Sequence, residues 1–361
     1  MTAENLLEKP LNGELLTFDE GLYLYTNTPL PLLMAAADRM RRVLHPSSEV
    51  TWIIDRNVNI TNVCISQCRF CNFCRKPDDP DAFITTLDEY CMKIDELIAW
   101  GGNQLLLQGG MHPGLGLNWY LRLFRDLKSR YPMLRLHALS PPEIVFLAAK
   151  EKMDYLHILE ALVDAGLDSL PGAGAEILCD RVRSVVSPAK ATSAQWLEVM
   201  ATAHRMNLPT SATMMFGHIE TEAERIEHLV KIQQLQKQKP AGHYGFVSFI
   251  PWPFQDRDTV LREKKGVRSS VSADDYIRLI AISRLMLSNV RNIQPSWLTV
   301  GTATAQLCLY AGANDFGSVM IEEHVVAAAG ANHSLNISGI TAAIREAGFI
   351  PVKRNQKFEI I

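Results

Sequence analysis

At 361 residues and 40.4 kDa the chain has room for one large barrel or two small domains. Hydrophobic residues make up 47% and charged ones 21%, and the net charge of −3 gives no reason to expect a nucleic-acid or anionic-membrane partner. The opening "MTAENLLEKP" is acidic where a secretory leader is basic and then apolar, and "LPLLMAAA" is far too short to span a bilayer.

Short β-rich runs alternate with longer amphipathic patterns, the order expected of parallel βα units. An N-terminal extension over 1–50 carries a helix at about 31–44, placed to cap a barrel floor. Strands are expected at 58–61, 104–108, 134–139, 168–170, 210–216, 245–250, 292–297 and 313–317. Helices lie between them, among them "TTLDEYCMKIDELIAWG", "TSAQWLEVMATAHRMN" and "TEAERIEHLVKIQQLQKQ". The first has Thr86 and Asp88 near its start and Gly101 past its end, ordinary start and stop chemistry. Eight strands in this length predict an α/β fold, a (β/α)8 barrel over 51–330, with a doubly wound open sheet as the alternative. A helix, "SGITAAIREAG", and a final extended stretch fill 331–361. The polar, charge-rich "DRDTVLREKKGVRSS" reads as a solvated loop.

Polar residues and glycines collect just after the strands: Cys64 to Cys74, "GGMHPG", "SPPE", "PGAGAE" and "GHIET". In a (β/α)8 barrel these loops share one rim, where active sites lie. Four of the seven cysteines fall within "NVCISQCRFCNFC", a grouping that suits metal in a reducing, cytoplasmic compartment better than a disulfide framework. Cys68, Cys71 and Cys74 make three quarters of a ferredoxin run, but position 78, where the fourth cysteine belongs, is Asp78. Structural zinc pairs two knuckles, and no second knuckle is present. Cys91 and Cys308 sit in apolar helical patterns as small core residues. Cys64, Cys68 and Cys71 form C-x3-C-x2-C, able to hold three irons of a 4Fe–4S cube and leave the fourth open to a small molecule.

That spacing resembles the defining motif of the radical S-adenosylmethionine (SAM) enzymes, and Phe70 before the third cysteine matches the aromatic usual there. The resemblance implies Cys64, Cys68 and Cys71 as cluster ligands, Phe70 near the adenine of SAM, and Cys74 as a bystander. It places "QGGMHP" (Gln108, Gly109, Gly110) at the amino group of SAM, although this stretch lacks the usual acid. Ser140 falls to the ribose or methionine end, and Glu176, backed by Arg181 or Arg183, to the charged amino-acid end. In "MMFGHIET", Met215 packs on the adenine, and His218 or Glu220 supplies a base. Asn292, Gln294, Asp315 and Glu322 are further polar candidates for the mouth, with capping as their plain alternative.

"RNVNITNVCISQCRFCNF", "LLLQGGMHP", "HALSPPEI", "LDSLPGAGAEIL", "ATMMFGHIET", "FIPWPFQ" and "GANDFG" together resemble the radical SAM enzymes of the menaquinone (futalosine) pathway, "HALSPPEI" and "FIPWPFQ" most of all its cyclising branch. Ala173, where a third glycine is usual, and Cys74 depart from the pattern. The resemblance implies dehypoxanthine futalosine as a small-molecule substrate. A 5′-deoxyadenosyl radical would remove its ribose C4′ hydrogen, and the resulting radical would add to the benzoate ring. It also implies an electron donor such as flavodoxin or ferredoxin. The aminofutalosine and deazaflavin (FO) synthases share the same cysteines and stay open as alternatives, as does an iron–sulfur electron carrier.

Overall fold

The computed structural model describes residues 2–322, 327–330 and 333–361. Among the described residues there are ten strands: β1 (Glu49–Ile53), β2 (Asp55–Asn59), β3 (Gln104–Gln108), β4 (Arg135–Ala138), β5 (Leu167–Ser169), β6 (Thr210–Phe216), β7 (Phe246–Pro253), β8 (Asn292–Ile293), β9 (Asp315–Ser318) and β10 (Ile350–Lys353). All their pairings are parallel. β2 to β5 form one run and β6 to β8 another. Leu170 N–H to Pro209 O (3.0 Å) joins the two runs, and Asn314 N–H to Ile293 O (3.1 Å) brings β8 to the chain entering β9. β9 pairs with β1, which continues through Ile54 into β2. With β1–β2 counted as one stave, the ring closes with eight, the (β/α)8 barrel expected.

Alternation along each stave separates two environments. On β2, Asn57 and Asn59 face the barrel interior, whereas Val58 lies buried in the apolar layer beneath the helices. The helices start where local chemistry dictates. Thr86 with Glu89, Thr192 with Gln195 and Thr221 with Glu224 each build a reciprocal capping box for the helices Leu87–Ala99, Ser193–Arg205 and Glu222–Gln238. The polar stretch after β7 is more ordered than a solvated loop. It holds the helix Val260–Lys265, capped by Thr259, with Leu261 buried and its N–H on Arg69 O at 2.9 Å.

The helix Leu30–Leu44 packs along the helix Ala273–Met286 on the barrel's flank and does not close the floor. That task falls to the C-terminal stretch. β10 pairs with the lower part of β1, and the residues after it run beneath the barrel. There Arg354 makes two bonds to Asp315 (2.5 and 2.9 Å), and Gln356 accepts from Gln104 at 3.0 Å. The boundary set at 50/51 falls inside β1, whose partners come much later in the chain, and the one at 330/331 adjoins residues 331–332, outside the described set.

Candidate active site

The mouth of the barrel opens into a cavity of about 390 Å³. Cys64, Cys68, Cys71 and Cys74 stand on one wall of it. Their loop is held from three sides. Cys64 N–H donates to Arg75 O and Arg75 N–H to Asn62 O, pairing the loop's two ends at 3.1 and 2.8 Å. Arg69 N–H reaches Val186 O at 2.9 Å, at the end of the helix Asp180–Val186. Gly110 closes the third side, where any side chain would put its Cβ 2.1 Å from Val63 O.

The sulfurs are positioned by small polar groups. Ser66 Oγ lies 2.9 Å from Cys64 Sγ and 3.4 Å from Cys68 Sγ, and Met111 N–H donates to Cys64 Sγ at 3.3 Å. The neighbouring Cys74 thiol, then Ser66 and the backbone amides of Ser66 and Met111, lower the Cys64 thiol against its burial. Burial pushes Cys68 up to about 11 and raises Cys71 as well. Cys74 Sγ donates to Cys64 O at 3.3 Å. Cys91 and Cys308 lie in helices away from the cavity, and Cys179 donates to Glu224.

Phe70, Gln108, Gly109, Gly110, Ser140, Glu176 and Met215 all line this cavity, brought together from five different loops or strand ends. Glu176 is buried and receives Lys190 at 2.8 Å and Arg183 at 3.3 Å; these two cations lower its carboxyl in spite of burial. Lys190 also stands 5.4 Å from the centre of the Phe70 ring. Three non-glycine residues of the rim, Gln67, Leu139 and Glu176, have positive φ (46°, 62° and 41°). Such backbone costs roughly 1–3 kcal/mol per residue and clusters at functional sites. Ala173 keeps a negative φ while the next residue, Gly174, takes +75°, so the methyl at position 173 is accommodated.

Three candidates fall outside the cavity. Arg181 is more than half exposed and forks onto Glu224, leaving Arg183 as the arginine behind Glu176. Glu220 is sealed in, accepting from Gly217 N–H (2.6 Å), His218 N–H (3.0 Å) and Arg225 (2.8 Å). His218 Nε2 donates to Met215 O at 3.0 Å, and its Nδ1 lies 2.9 Å from Glu220 Oε2 and 2.8 Å from Ile219 N, so both ring nitrogens are used. The pair braces the turn after β6, which answers why a glycine–acid pattern sits there without reaching the interior. Of the late candidates, Gln294 lines the cavity. Asp315 is taken by Arg354, Glu322 by Arg56 and Lys93, and Asn292 by Val247 O and Asn314.

Four cavity residues carry little sequence signal. Lys190 sits alone in "SPAKATS". Asn57 and Asn59 lie in a strand whose start reads three residues late, although period-two asparagines are a usable sign of a polar interior. Glu143 is hidden by its context: Ser140-Pro-Pro-Glu143 has the spacing of a capping box. In the structure Ser140 makes no cap bond and instead donates to Glu143 Oε2 at 2.6 Å. Glu143 Oε1 and the Oδ1 atoms of Asn57 and Asn59 are buried without a hydrogen-bond partner among the described residues.

A closed parallel barrel whose C-x3-C-x2-C loop faces the mouth cavity defines the class, a radical SAM enzyme. The Radical SAM superfamily model matches residues 58–232, and the CofH/MqnC C-terminal region model matches residues 243–361. The chain is 39% identical to a cyclic dehypoxanthine futalosine synthase of Halalkalibacterium halodurans over 100% of this chain and 95% of that protein. The counterpart in Streptomyces coelicolor is 40% identical, covering 98% and 88%. A 5-amino-6-(D-ribitylamino)uracil–L-tyrosine 4-hydroxyphenyl transferase of a Cyanothece strain is 38% identical, covering 91% and 90%. Among solved structures, methylornithine synthase superposes with a TM-score of 0.75 at 18% identity, covering 97% of this chain and 98% of that one. The chain belongs to the radical SAM family that contains the cyclic dehypoxanthine futalosine synthases and these transferases.

Its cofactors are those of the superfamily, a 4Fe–4S cluster and SAM. The donor set fits. Among the described residues no three His, Cys, Asp or Glu side chains converge on one ion. A cube asks instead for thiolates set apart, each on its own iron, and Cys64 and Cys68 stand on either side of the Ser66 hydroxyl. No helix of the described residues is long and apolar enough to cross a membrane.

Proposed function

We propose that this enzyme cyclises dehypoxanthine futalosine to cyclic dehypoxanthinyl futalosine in menaquinone biosynthesis. The observation that carries the reading is the chemistry of the cavity beyond the cysteines. Neutral amides and hydroxyls, Asn57, Asn59, Ser211, Thr213 and Gln294, share it with the aromatic rings of Trp252 and Phe254. Such a lining suits a polyhydroxylated sugar bearing an aryl group. The full-length likeness to two synthases with this reaction in their names supports the same substrate.

In this reading Cys64, Cys68 and Cys71 hold the cluster, and Gly109, Gly110, Ser140, Glu176 and Met215 surround SAM. When bound, these cofactors supply a primary carbon radical that takes a hydrogen atom from the sugar. The protein's part is position and dryness. Glu176, fixed by Lys190 and Arg183, anchors the charged end of SAM, and Phe70 walls its adenine. The substrate gains a bond between ribose C4′ and the benzoate ring and loses two hydrogens. Electrons arrive from a flavodoxin or ferredoxin in a cytoplasmic setting. A second reading, aryl transfer from tyrosine, is favoured by the relatives of that name at 36–38% identity.

Anaerobic incubation of the reconstituted protein with SAM, dithionite and dehypoxanthine futalosine, followed by mass spectrometry, tests the proposal. A product two hydrogens lighter, with one 5′-deoxyadenosine per turnover, is the expected result. SAM cleavage that leaves this substrate unchanged but consumes tyrosine with the ribitylaminouracil would transfer the assignment to the second reading.

A further inference from the structure

The cysteine loop has an outer face as well as one toward the cavity, and two unlike patches flank it. On one side lies the polar stretch after β7. Asn72 Nδ2 donates to Arg257 O at 2.6 Å, and Leu261 N–H to Arg69 O at 2.9 Å, so the helix Val260–Lys265 is fastened directly to the loop. Over 256–268 five basic residues stand against three acids, in a chain whose net charge is −3. Arg262 pairs with Asp256 at 3.5 Å, leaving Asp258 and Glu263 as the other acids. Arg257, Lys264, Lys265 and Arg268 are exposed and have no ion-pair partner among the described residues. On the other side, Phe83 meets Phe73 edge-on at 6.0 Å, one residue from Asn72. Phe83, Ile84 and Ile65 are all exposed there.

Like charges crowded on one short segment repel, and an acidic partner relieves that repulsion. Such a patch steers an oppositely charged protein and fixes its orientation, while apolar side chains beside it supply the contact. That combination suits electron-transfer encounters, the smallest class of protein interface at under about 1,200 Å². What lies behind the face points the same way. In the radical SAM reading the loop carries a cluster that takes one electron from outside the chain. None of Arg257, Lys264, Phe83 and Ile84 lines the cavity, so a carrier seated on them stands apart from the substrate's place. The apolar half of the face chooses among carriers. A flavin presents a flat, apolar ring edge that Phe83 and Ile84 can cover, which a protein-bound iron–sulfur cluster lacks.

We propose that this face, from Phe83 and Ile84 across the cysteine loop to Lys264, Lys265 and Arg268, docks an acidic flavin-bearing electron carrier of the flavodoxin kind. The carrier's anionic hydroquinone gives one electron to the cluster and becomes the neutral semiquinone, so no bond changes and no proton moves. The proposal rests on the radical SAM reading and adds a partner surface to it. The test follows cluster absorbance in the anaerobic, reconstituted protein mixed with flavodoxin hydroquinone at low and high salt. Dithionite serves as a small reductant that needs no docking. One variant combines Lys264→Gln, Lys265→Gln and Arg268→Gln, all exposed positions, and a second is Phe83→Ala. The expected result is reduction by flavodoxin slowed roughly ten- to a hundredfold in the triple variant at low salt, a gap that closes at high salt. Phe83→Ala should slow it at both salts, and dithionite should reduce all three proteins alike. Flavodoxin reduction unchanged in either variant, or slowed together with dithionite reduction, overturns the proposal. So does a wild type that reduced ferredoxin reduces and flavodoxin does not. A wild type whose cluster dithionite cannot reduce, or which cleaves no SAM once reduced, overturns the proposal together with the reading beneath it.

Discussion

The two ends of this barrel are built from the same staves but treat their polar groups in opposite ways. At the floor, charges and amides are mostly turned onto one another: Asp315 on Arg354, the Gln104 amide nitrogen on Asp55 and Gln356, and His137 on Ser169 at 2.7 Å, with Gln104 Oε1 left bare. At the mouth, Glu143, Asn57 and Asn59 keep bare oxygens, three residues hold strained φ, and four thiols face a cavity. Closing a barrel from below needs partners that satisfy each other, since a buried polar group otherwise costs stability. A mouth that takes a cluster, SAM and a sugar needs partners held in reserve. The unsatisfied groups that line the cavity are the ones a ligand can reach.

The largest expected effect breaks the mouth. Cys64→Ser, Cys68→Ser and Cys71→Ser should each drop iron content and SAM cleavage to background, whereas Cys74→Ser, whose hydroxyl still donates to Cys64 O, should keep both. Loss of the cluster from Cys74→Ser would overturn the three-ligand assignment. Next comes the floor. Arg354→Met strands the buried Asp315 and should cost about 3–5 kcal/mol in urea unfolding, with the cavity residues untouched. A loss under about 1 kcal/mol would mean the tail is dispensable for closure.

A smaller effect separates the two ends most cleanly. Asn57→Ala or Asn59→Ala removes a side chain whose buried oxygen pairs with nothing among the described residues, so unfolding stability should hold or rise. If either amide bonds the substrate, kcat/KM should fall about fivefold for one lost bond of roughly 1 kcal/mol. A stability loss with unchanged kinetics would make them structural. Smallest of all, Arg181→Met removes an exposed pair with Glu224 and should change stability by about 0–1 kcal/mol and leave SAM affinity alone. A tenfold weaker SAM complex would return Arg181 to the site.

Much of this site was open to reading in one dimension. C-x3-C-x2-C lies within eight residues on one loop, so its spacing survives folding unchanged. Glycine-bearing turns after strands mark a rim because parallel connections force every such turn to the same end. His218 and Glu220 misled because a glycine–acid pattern serves a self-bonded turn as well as a ligand, and only their neighbours decide between the two. Glu143 was disguised by a spacing that also caps helices.

The sequence by itself determined the succession of strands and helices, helix starts such as Thr86, and the C-x3-C-x2-C spacing of the proposed cluster loop, since each depends on residues close along the chain. The tertiary structure alone decided that Arg183 and Lys190, rather than Arg181, hold Glu176. It alone decided, too, that the floor is shut by the last residues of the chain, and that Glu143 is the acid left uncompensated beside the cysteine loop. Those outcomes rest on which side chains meet across staves distant in sequence. Whether a buried charge finds a partner is a property of the surroundings and not of the residue.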